Sequence, residues 1–336
     1  MTAAADSHRI PDLRVLVTGG TGFLGSHLVE RLLEEPGVEV FALVRDPSRP
    51  RWLGGLNRVR FIVGNLESVP ALPDGLSAVY HVAGSTKTLK SGAYYTVNRD
   101  GTANLLRALE GRSDRLRFVH MSSLAAVGPS APDRGAREDD PPRPISHYGA
   151  SKLQAEEEVL RFRDRASVVI LRPGAVYGPR DEDFLRYFRW IKRGARPLLG
   201  RCRTLSLVHV RDAVRATLLA GSAEVPSGEI FHIAEPVPRC WEDIGRAAAR
   251  ILGKRPVGVR VPYWAAYLAA CASEGAGRLL GLDKGLLNRD KVKMISPDGW
   301  VADVDKARRV LGFETEVPLE KGLEETIAWY VREGWL

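Results

Sequence analysis

A short apolar run, Leu13 to Val17, ends at Thr18-Gly19-Gly20-Thr21-Gly22-Phe23-Leu24-Gly25, and a helical pattern begins at once. This junction constrains the fold more than any other feature of the chain. Glycines at 19, 22 and 25 permit a tight turn and close backbone approach, for which side chains leave no room. Phe23, Leu24, Leu28, Leu32 and Leu33 then recur at helical spacing, and Val38 to Val44 is a β-rich run. Strand, turn, helix and strand make a βαβ unit. Placed between a strand and a helix, the turn offers backbone amides and the positive end of a helix to a phosphate group. A ligandless glycine loop is the bland alternative, and the flanking elements argue against it.

The alternation continues. Val59 to Val63, Ala78 to Val82, Leu116 to Met121 and Val168 to Leu171 read as strands, and 94–109 and about 148–162 as helices. Such a pattern predicts an α/β fold with a doubly wound parallel sheet. Residues 1–12 read as a flexible lead-in, 13–173 as a dinucleotide-binding domain and 174–336 as a smaller, mostly helical substrate-binding part. Segments near 205–235 are expected to return to the first domain. Helices are expected at about 183–193, 211–220, 241–252, 262–280 and 319–332, with short strands near Leu205 and Ile230.

Among 336 residues the net charge is +8, but the basic residues are scattered. No run and no aromatic interleaving points to nucleic acid. Cys202, Cys240 and Cys271 are odd in number and fit no zinc template or disulfide framework, so a reducing, cytoplasmic setting and no metal are expected. The apolar stretch from Val261 to Ala272 is too short to span a bilayer. It suits core packing, an apolar pocket or peripheral contact with a membrane.

Cofactor contacts are expected from Gly19, Thr21, Gly22, Phe23, Leu24 and Gly25. At the end of the second strand Arg45 is followed by Asp46. Either the guanidinium grips a 2′-phosphate, which favours NADP, or Asp46 takes the ribose hydroxyls of NAD. Asn65 and Leu66 are placed to meet the adenine, although Asn65 also suits a plain turn. Val82, Ala83 and Gly84 let backbone run past the cofactor, while His81 reads as a packed strand-end histidine. Tyr148 and Lys152, at i and i+4, share one face of a helix. An ammonium about 4 Å from a phenol contributes about 4 kcal/mol at an effective dielectric of about 20. That predicts a tyrosine brought close to neutrality, able to act as acid or base. Ser123 ends a strand on the same edge and suits hydrogen bonding to a carbonyl. Ser122 competes for that role and otherwise touches the cofactor.

Taken together, the glycine turn, Asn98-x-x-Gly101-Thr102-x-Asn104, Ser122-Ser123, Tyr148-Gly149-Ala150-Ser151-Lys152, Leu171-Arg172-Pro173, Tyr177-Gly178-Pro179 and Val208-His209-Val210-x-Asp212 resemble the landmarks of an extended short-chain dehydrogenase/reductase, of the NAD(P)-dependent epimerase/dehydratase superfamily. The resemblance implies a Rossmann-like fold with Ser123, Tyr148 and Lys152 as catalytic residues. Ser123 is preferred to Ser122 because it stands five residues before Gly128. It also implies Pro173 and Val176 beside the nicotinamide, Asn98 as the family's asparagine, and a homodimer through helices 94–109 and 148–162. Nucleotide-sugar epimerases and dehydratases place an arginine seven residues before Asp212, where this chain has Leu205. Arg201 and Arg203 stand near enough for a shifted register to restore a diphosphate site. Dehydratases add acidic residues where this chain has Leu124 and Ala125. Val261-Pro262-Tyr263-Trp264, Asn288-x-x-Lys291-Val292, the segment Trp300 to Asp305 and the ending Trp329-Tyr330 … Gly334-Trp335-Leu336 resemble relatives of 3β-hydroxysteroid dehydrogenase and dihydroflavonol reductase. The expected activity is therefore an NADP(H)-dependent interconversion of a secondary alcohol and a ketone on a hydrophobic cyclic substrate. A nucleotide-sugar 4-epimerase or dehydratase with NAD is the alternative, and a non-catalytic NADP sensor is a third reading.

Overall fold

The computed structural model of the chain describes residues 13–112, 116–131, 134–199, 204–279, 288–297 and 299–336. The lead-in 1–12, Arg201, Cys202 and Arg203 lie outside the described residues. In chain order the first half runs β1 (Leu13–Thr18), α1 (Phe23–Glu34), β2 (Val38–Val44), β3 (Val59–Val63), β4 (Ala78–His81), α2 (Ser91–Tyr95), α3 (Gly101–Ala108), β5 (Arg117–Met121), α4 (His147–Arg161) and β6 (Ser167–Pro173). The second half adds β7 (Ala175–Tyr177), α5 (Glu182–Lys192), β8 (Ala195–Leu199), β9 (Thr204–Leu205), β10 (Leu207–His209), α6 (Val210–Ser222), β11 (Glu229–Ile233), β12 (Arg239–Cys240), α7 (Trp241–Ile251), β13 (Val257–Val261), α8 (Tyr263–Leu279), α9 (Arg289–Ile295), β14 (Gly299–Trp300), α10 (Asp305–Leu311) and α11 (Leu319–Arg332).

Seven strands form one sheet in the order β11-β6-β5-β4-β1-β2-β3. Every neighbouring pair is parallel. A parallel sheet needs crossovers and ends up covered on both faces, so its strands are apolar on both sides. Val15, Val17, Val119 and Leu171 join Leu28 of α1 and Ala213 of α6 in one core. The alternating residues Leu16, Phe118 and Ile170 join Leu105 of α3 and Val159 of α4 in the other. Chain order reverses where β1 stands between β2 and β4, the crevice where such sheets hold ligands at their carboxyl ends.

A third core, with Phe184, Phe188, Ile244, Leu323 and Tyr330, joins α5, α7 and α11 in the second half. Short strands there go beyond the two read from sequence: β10 pairs with β7, and β13 with β8. The helix expected over 94–109 starts at Ser91 and passes through a π-helical stretch, Thr96–Asp100. Among the described residues no helix is long and apolar enough to cross a membrane. The three cysteines are not all reduced thiols. Cys240 is disulfide-bonded, and Cys271 is a half-buried free thiol. An odd count rules out full pairing but not a single bridge.

Candidate active site

The glycine turn closes against the end of β4. Gly19 has φ +75°, and a Cβ there would stand 2.7 Å from the amide nitrogen of Ala83. At Gly25 a Cβ would collide with the Gly19 carbonyl. The backbone therefore passes where a side chain cannot. Gly22 caps α1 without a side-chain hydrogen bond, and the first turn of α1 holds no acidic residue. The first-turn amides around Phe23 and Leu24 thus face outward beside Thr21 with the positive end of the helix behind them. This cradle fits the pyrophosphate of a dinucleotide.

Arg45 is exposed at the end of β2. Asp46 is engaged otherwise. Its Oδ1 accepts from the Ser48 amide at 2.9 Å and the Ser48 hydroxyl at 2.6 Å, and these bonds hold its carboxyl below the usual range. Asn65 does turn duty: its Oδ1 accepts from the amides of Glu67 and Ser68, both at 2.9 Å. Leu66 rests on α3, where a Cβ at Gly101 would come within 2.8 Å of it. Val82 and Ala83 donate their amides to the carbonyl and hydroxyl of Thr18, each at 3.3 Å. His81 is a packed histidine, bridging Thr18 at 2.7 Å and Thr102 at 2.8 Å, and burial takes it down to about 3.

A Cβ on Gly84 would stand 3.2 Å from Asn98 Oδ1 and 3.7 Å from Lys152 Nζ, so the ammonium borders the cofactor strip. Asn98 sits in the π-helical stretch, a distortion frequent at functional sites. It accepts from the Ser85 amide at 2.7 Å and donates to Ser151 Oγ at 2.9 Å, tying the β4 loop to α4.

The start of α4 lies directly on the turn after β5. A Cβ at Gly149 would collide with the Ala125 carbonyl, so only glycine lets the two meet. This approach brings the Tyr148 phenol beside the Ser123 side chain. Ser146 caps the helix by accepting from the Gly149 amide at 3.0 Å. Asp290, on α9, accepts from the amides of His147 at 2.7 Å and Tyr148 at 3.1 Å. Pro173 ends β6 opposite Ile233, and Val176 is half-buried in β7, paired with Val208.

Two expectations are corrected here. The Tyr148 phenol is not lowered by Lys152: burial pushes it up, and the neighbouring Ser123 side chain only partly opposes this. Lys152 is itself buried and falls to about 8. Its ammonium donates to the Met121 carbonyl at 2.5 Å. Ser122 does not turn its hydroxyl to the cofactor strip. It is buried and donates to Glu156.

Glu156 was not singled out by sequence, yet it anchors the site from beneath. It follows Lys152 by one helical turn and receives Arg172 in two bonds, Nε at 2.9 Å and Nη2 at 2.7 Å. Both side chains are at most 4% exposed. Its carboxylate is the group that raises Lys152 against desolvation. A carboxylate on the buried stripe of a predicted helix, between Ala155 and Val159, was the available signal. His120 was also missed. It is buried with both ring nitrogens unpartnered, and burial and the Lys152 charge hold it neutral.

On the substrate side, α9 docks over the site. Asn288 donates to the Thr88 carbonyl at 2.8 Å and touches the Tyr94 hydroxyl, while the Tyr94 and Tyr148 rings meet edge to face at 6.0 Å. Leu205, seven residues before Asp212, is buried in an apolar cluster with Phe184 and Trp300 packed nearby. Leu124 and Ala125 are buried and uncharged. Asp212 is structural, accepting from the amides of Glu316 at 3.0 Å and Val317 at 3.1 Å.

Known proteins share this architecture. A ceramide reductase of Caulobacter vibrioides is 30% identical over 96% of both chains. The mouse 3 beta-hydroxysteroid dehydrogenase type 7 is 30% identical over 97% of both. The solved structure of MoeE5 in complex with UDP-glucuronic acid and NAD superposes with a TM-score of 0.75 at 28% identity, covering 95% of this chain and 99% of the other. The family model for the NAD dependent epimerase/dehydratase family matches residues 15–234. With the seven-stranded parallel sheet, the glycine cradle and these relatives in view, the chain belongs to the NAD dependent epimerase/dehydratase family and is an extended short-chain dehydrogenase/reductase enzyme.

Proposed function

We propose that this enzyme is an NADP(H)-dependent oxidoreductase that interconverts a secondary alcohol and a ketone on a hydrophobic cyclic substrate, of steroid or flavonoid type. The observation that carries the reading is the start of α4, where Tyr148 and Lys152 stand one helical turn apart and Gly149 lets the helix seat on the turn that holds Ser123. Burial keeps the Tyr148 phenol protonated at neutral pH, the state required of a proton donor to a carbonyl. Ser123 Oγ holds the substrate oxygen in line with that proton. The Lys152 ammonium, which borders the Gly84 strip, would hold the ribose of the bound cofactor. Bound nicotinamide supplies the hydride for reduction and accepts it for oxidation. In the reverse direction the same tyrosine oxygen takes the alcohol proton.

Arg45 supports NADP(H): it is exposed at the end of β2, while Asp46 is occupied by Ser48. Leu205, Leu124 and Ala125 support an apolar substrate, since no fixed charge at these positions meets a diphosphate. A ceramide reductase and a hydroxysteroid dehydrogenase among the relatives agree with that class. The second reading, a nucleotide-sugar 4-epimerase with retained NAD, is favoured by the likeness to MoeE5 with its UDP-sugar. Turnover of ketosteroids, flavanonols and nucleotide sugars with NADPH and with NADH tests the choice. Net oxidation of NADPH by an apolar ketone is expected. Turnover of nucleotide sugars alone, with cofactor retained through purification, overturns it.

A further inference from the structure

The segment from β13 into α8 is exposed in a way its composition does not explain. Val257 is 71% exposed and Val259 46%, on one face of β13. In α8, Ala266 and Ala270 face inward and pack with Val292 and Tyr267. Trp264, 67% exposed, and Leu268, 58% exposed, stand on the opposite side, one turn apart. Tyr263 is exposed beside them. No charged residue occurs from Val261 to Ser273, so the outward face of this helix is apolar for nearly three turns.

Cations precede this face along the chain. Arg250, Lys254, Arg255 and Arg260 are all exposed, and no Asp or Glu occurs between Arg250 and Ser273. Arg250, Lys254 and Arg255 line a cavity of about 640 Å³ in which cations outnumber the two carboxylates, Asp243 and Glu320. A second copy of the chain is a poor occupant. A two-fold contact would set this cation cluster against itself, in a chain that already carries +8. An anionic bilayer satisfies both halves of the patch. Aromatic and aliphatic side chains enter the headgroup boundary, and the preceding cations meet lipid phosphates.

We propose that β13 and the first turns of α8 form a docking surface for an anionic lipid membrane, with Trp264 and Leu268 inserted and Lys254, Arg255 and Arg260 on headgroup phosphates. The surface includes none of Ser123, Tyr148 and Lys152, and the proposal does not rest on the substrate assigned above.

Co-sedimentation with vesicles tests it, using the full chain and two compositions: phosphatidylcholine alone, and an equimolar mixture with phosphatidylglycerol. Binding to the mixture but not to phosphatidylcholine is expected, and it should weaken as salt is raised. Each cation near an anionic surface strengthens binding roughly fivefold, so Lys254→Gln with Arg255→Gln should weaken it roughly 25-fold. Trp264→Ser should weaken it about tenfold. Thermal unfolding of these variants should match the parent, because the altered side chains are exposed. No binding to either vesicle overturns the proposal, as does binding that ignores all three substitutions. Concentration-dependent self-association abolished by Trp264→Ser also overturns it and assigns the patch to a subunit contact.

Discussion

Replacing Glu156 by glutamine removes one negative charge from a site where two buried cations depend on it. Arg172 reaches that carboxylate through two bonds of 2.9 and 2.7 Å, with both side chains at most 4% exposed. Neutralising one partner of a buried pair leaves an uncompensated charge and costs about 3–5 kcal/mol. Total stability of a chain such as this is of order 5–15 kcal/mol, so the loss is large. The midpoint of urea unfolding should fall with the slope unchanged. The double variant Glu156→Leu with Arg172→Met removes both charges and should be less destabilised than Glu156→Gln alone. A second readout separates this from simple loosening. Glu156 is what raises Lys152 against desolvation, and Lys152 already titrates at about 8. Without the carboxylate the ammonium loses its proton at lower pH, so the alkaline limb of kcat/KM should shift to lower pH. A Glu156→Gln variant within about 1 kcal/mol of the parent, with an unmoved alkaline limb, refutes the electrostatic role given to this pair.

Gly19→Ala should cost about 1–3 kcal/mol of stability and weaken cofactor binding in a titration, because its Cβ would stand 2.7 Å from the Ala83 nitrogen at φ +75°. Arg45→Ser should raise KM for NADPH while leaving KM for NADH nearly unchanged, and equal effects on both speak against a 2′-phosphate contact. Glu235, buried beside Tyr177, is pushed up to about 7 mainly by desolvation, against the pull of Arg239. A raised carboxyl contributes stability fully below its unfolded value, about 4.5, and loses it as pH rises through about 7. Relative to Glu235→Gln, the parent should lose about 3 kcal/mol across that interval, read from denaturant midpoints at successive pH values.

The first half of the fold was legible because a doubly covered parallel sheet writes itself as unbroken apolar runs. Val15-Leu16-Val17 and Val38 to Val44 could be little else. The second half was less so. Val257 to Val261 alternates valine with glycine and arginine as a strand should, yet it is short, exposed and, among the described residues, paired with β8 alone, so nothing in the pattern marks its partner. At the site, residue types and order placed Ser123, Tyr148 and Lys152 on one edge. Spacing carries no information on where an ammonium points, and the Met121 carbonyl takes the bond the phenol was expected to feel. Asn65 showed the same limit, since one asparagine serves a turn or a ligand and only geometry tells which. His120 escaped notice because a buried imidazole arises from tertiary packing, which no local pattern records, whereas Glu156 had one local signal, its place on the buried stripe of α4.

The central claim is that the Tyr148 phenol, beside Ser123, exchanges a proton with a substrate oxygen during net hydride transfer. Reduction of an apolar cyclic ketone with NADPH deuterated at the transferring carbon tests it, run on the parent and on Tyr148→Phe. The parent should place one deuterium on the carbinol carbon for each cofactor oxidised. The phenylalanine variant should bind cofactor normally and turn over at least ~100-fold more slowly. Equal rates in the two proteins, or sugar epimerisation with no net cofactor oxidation, contradict it.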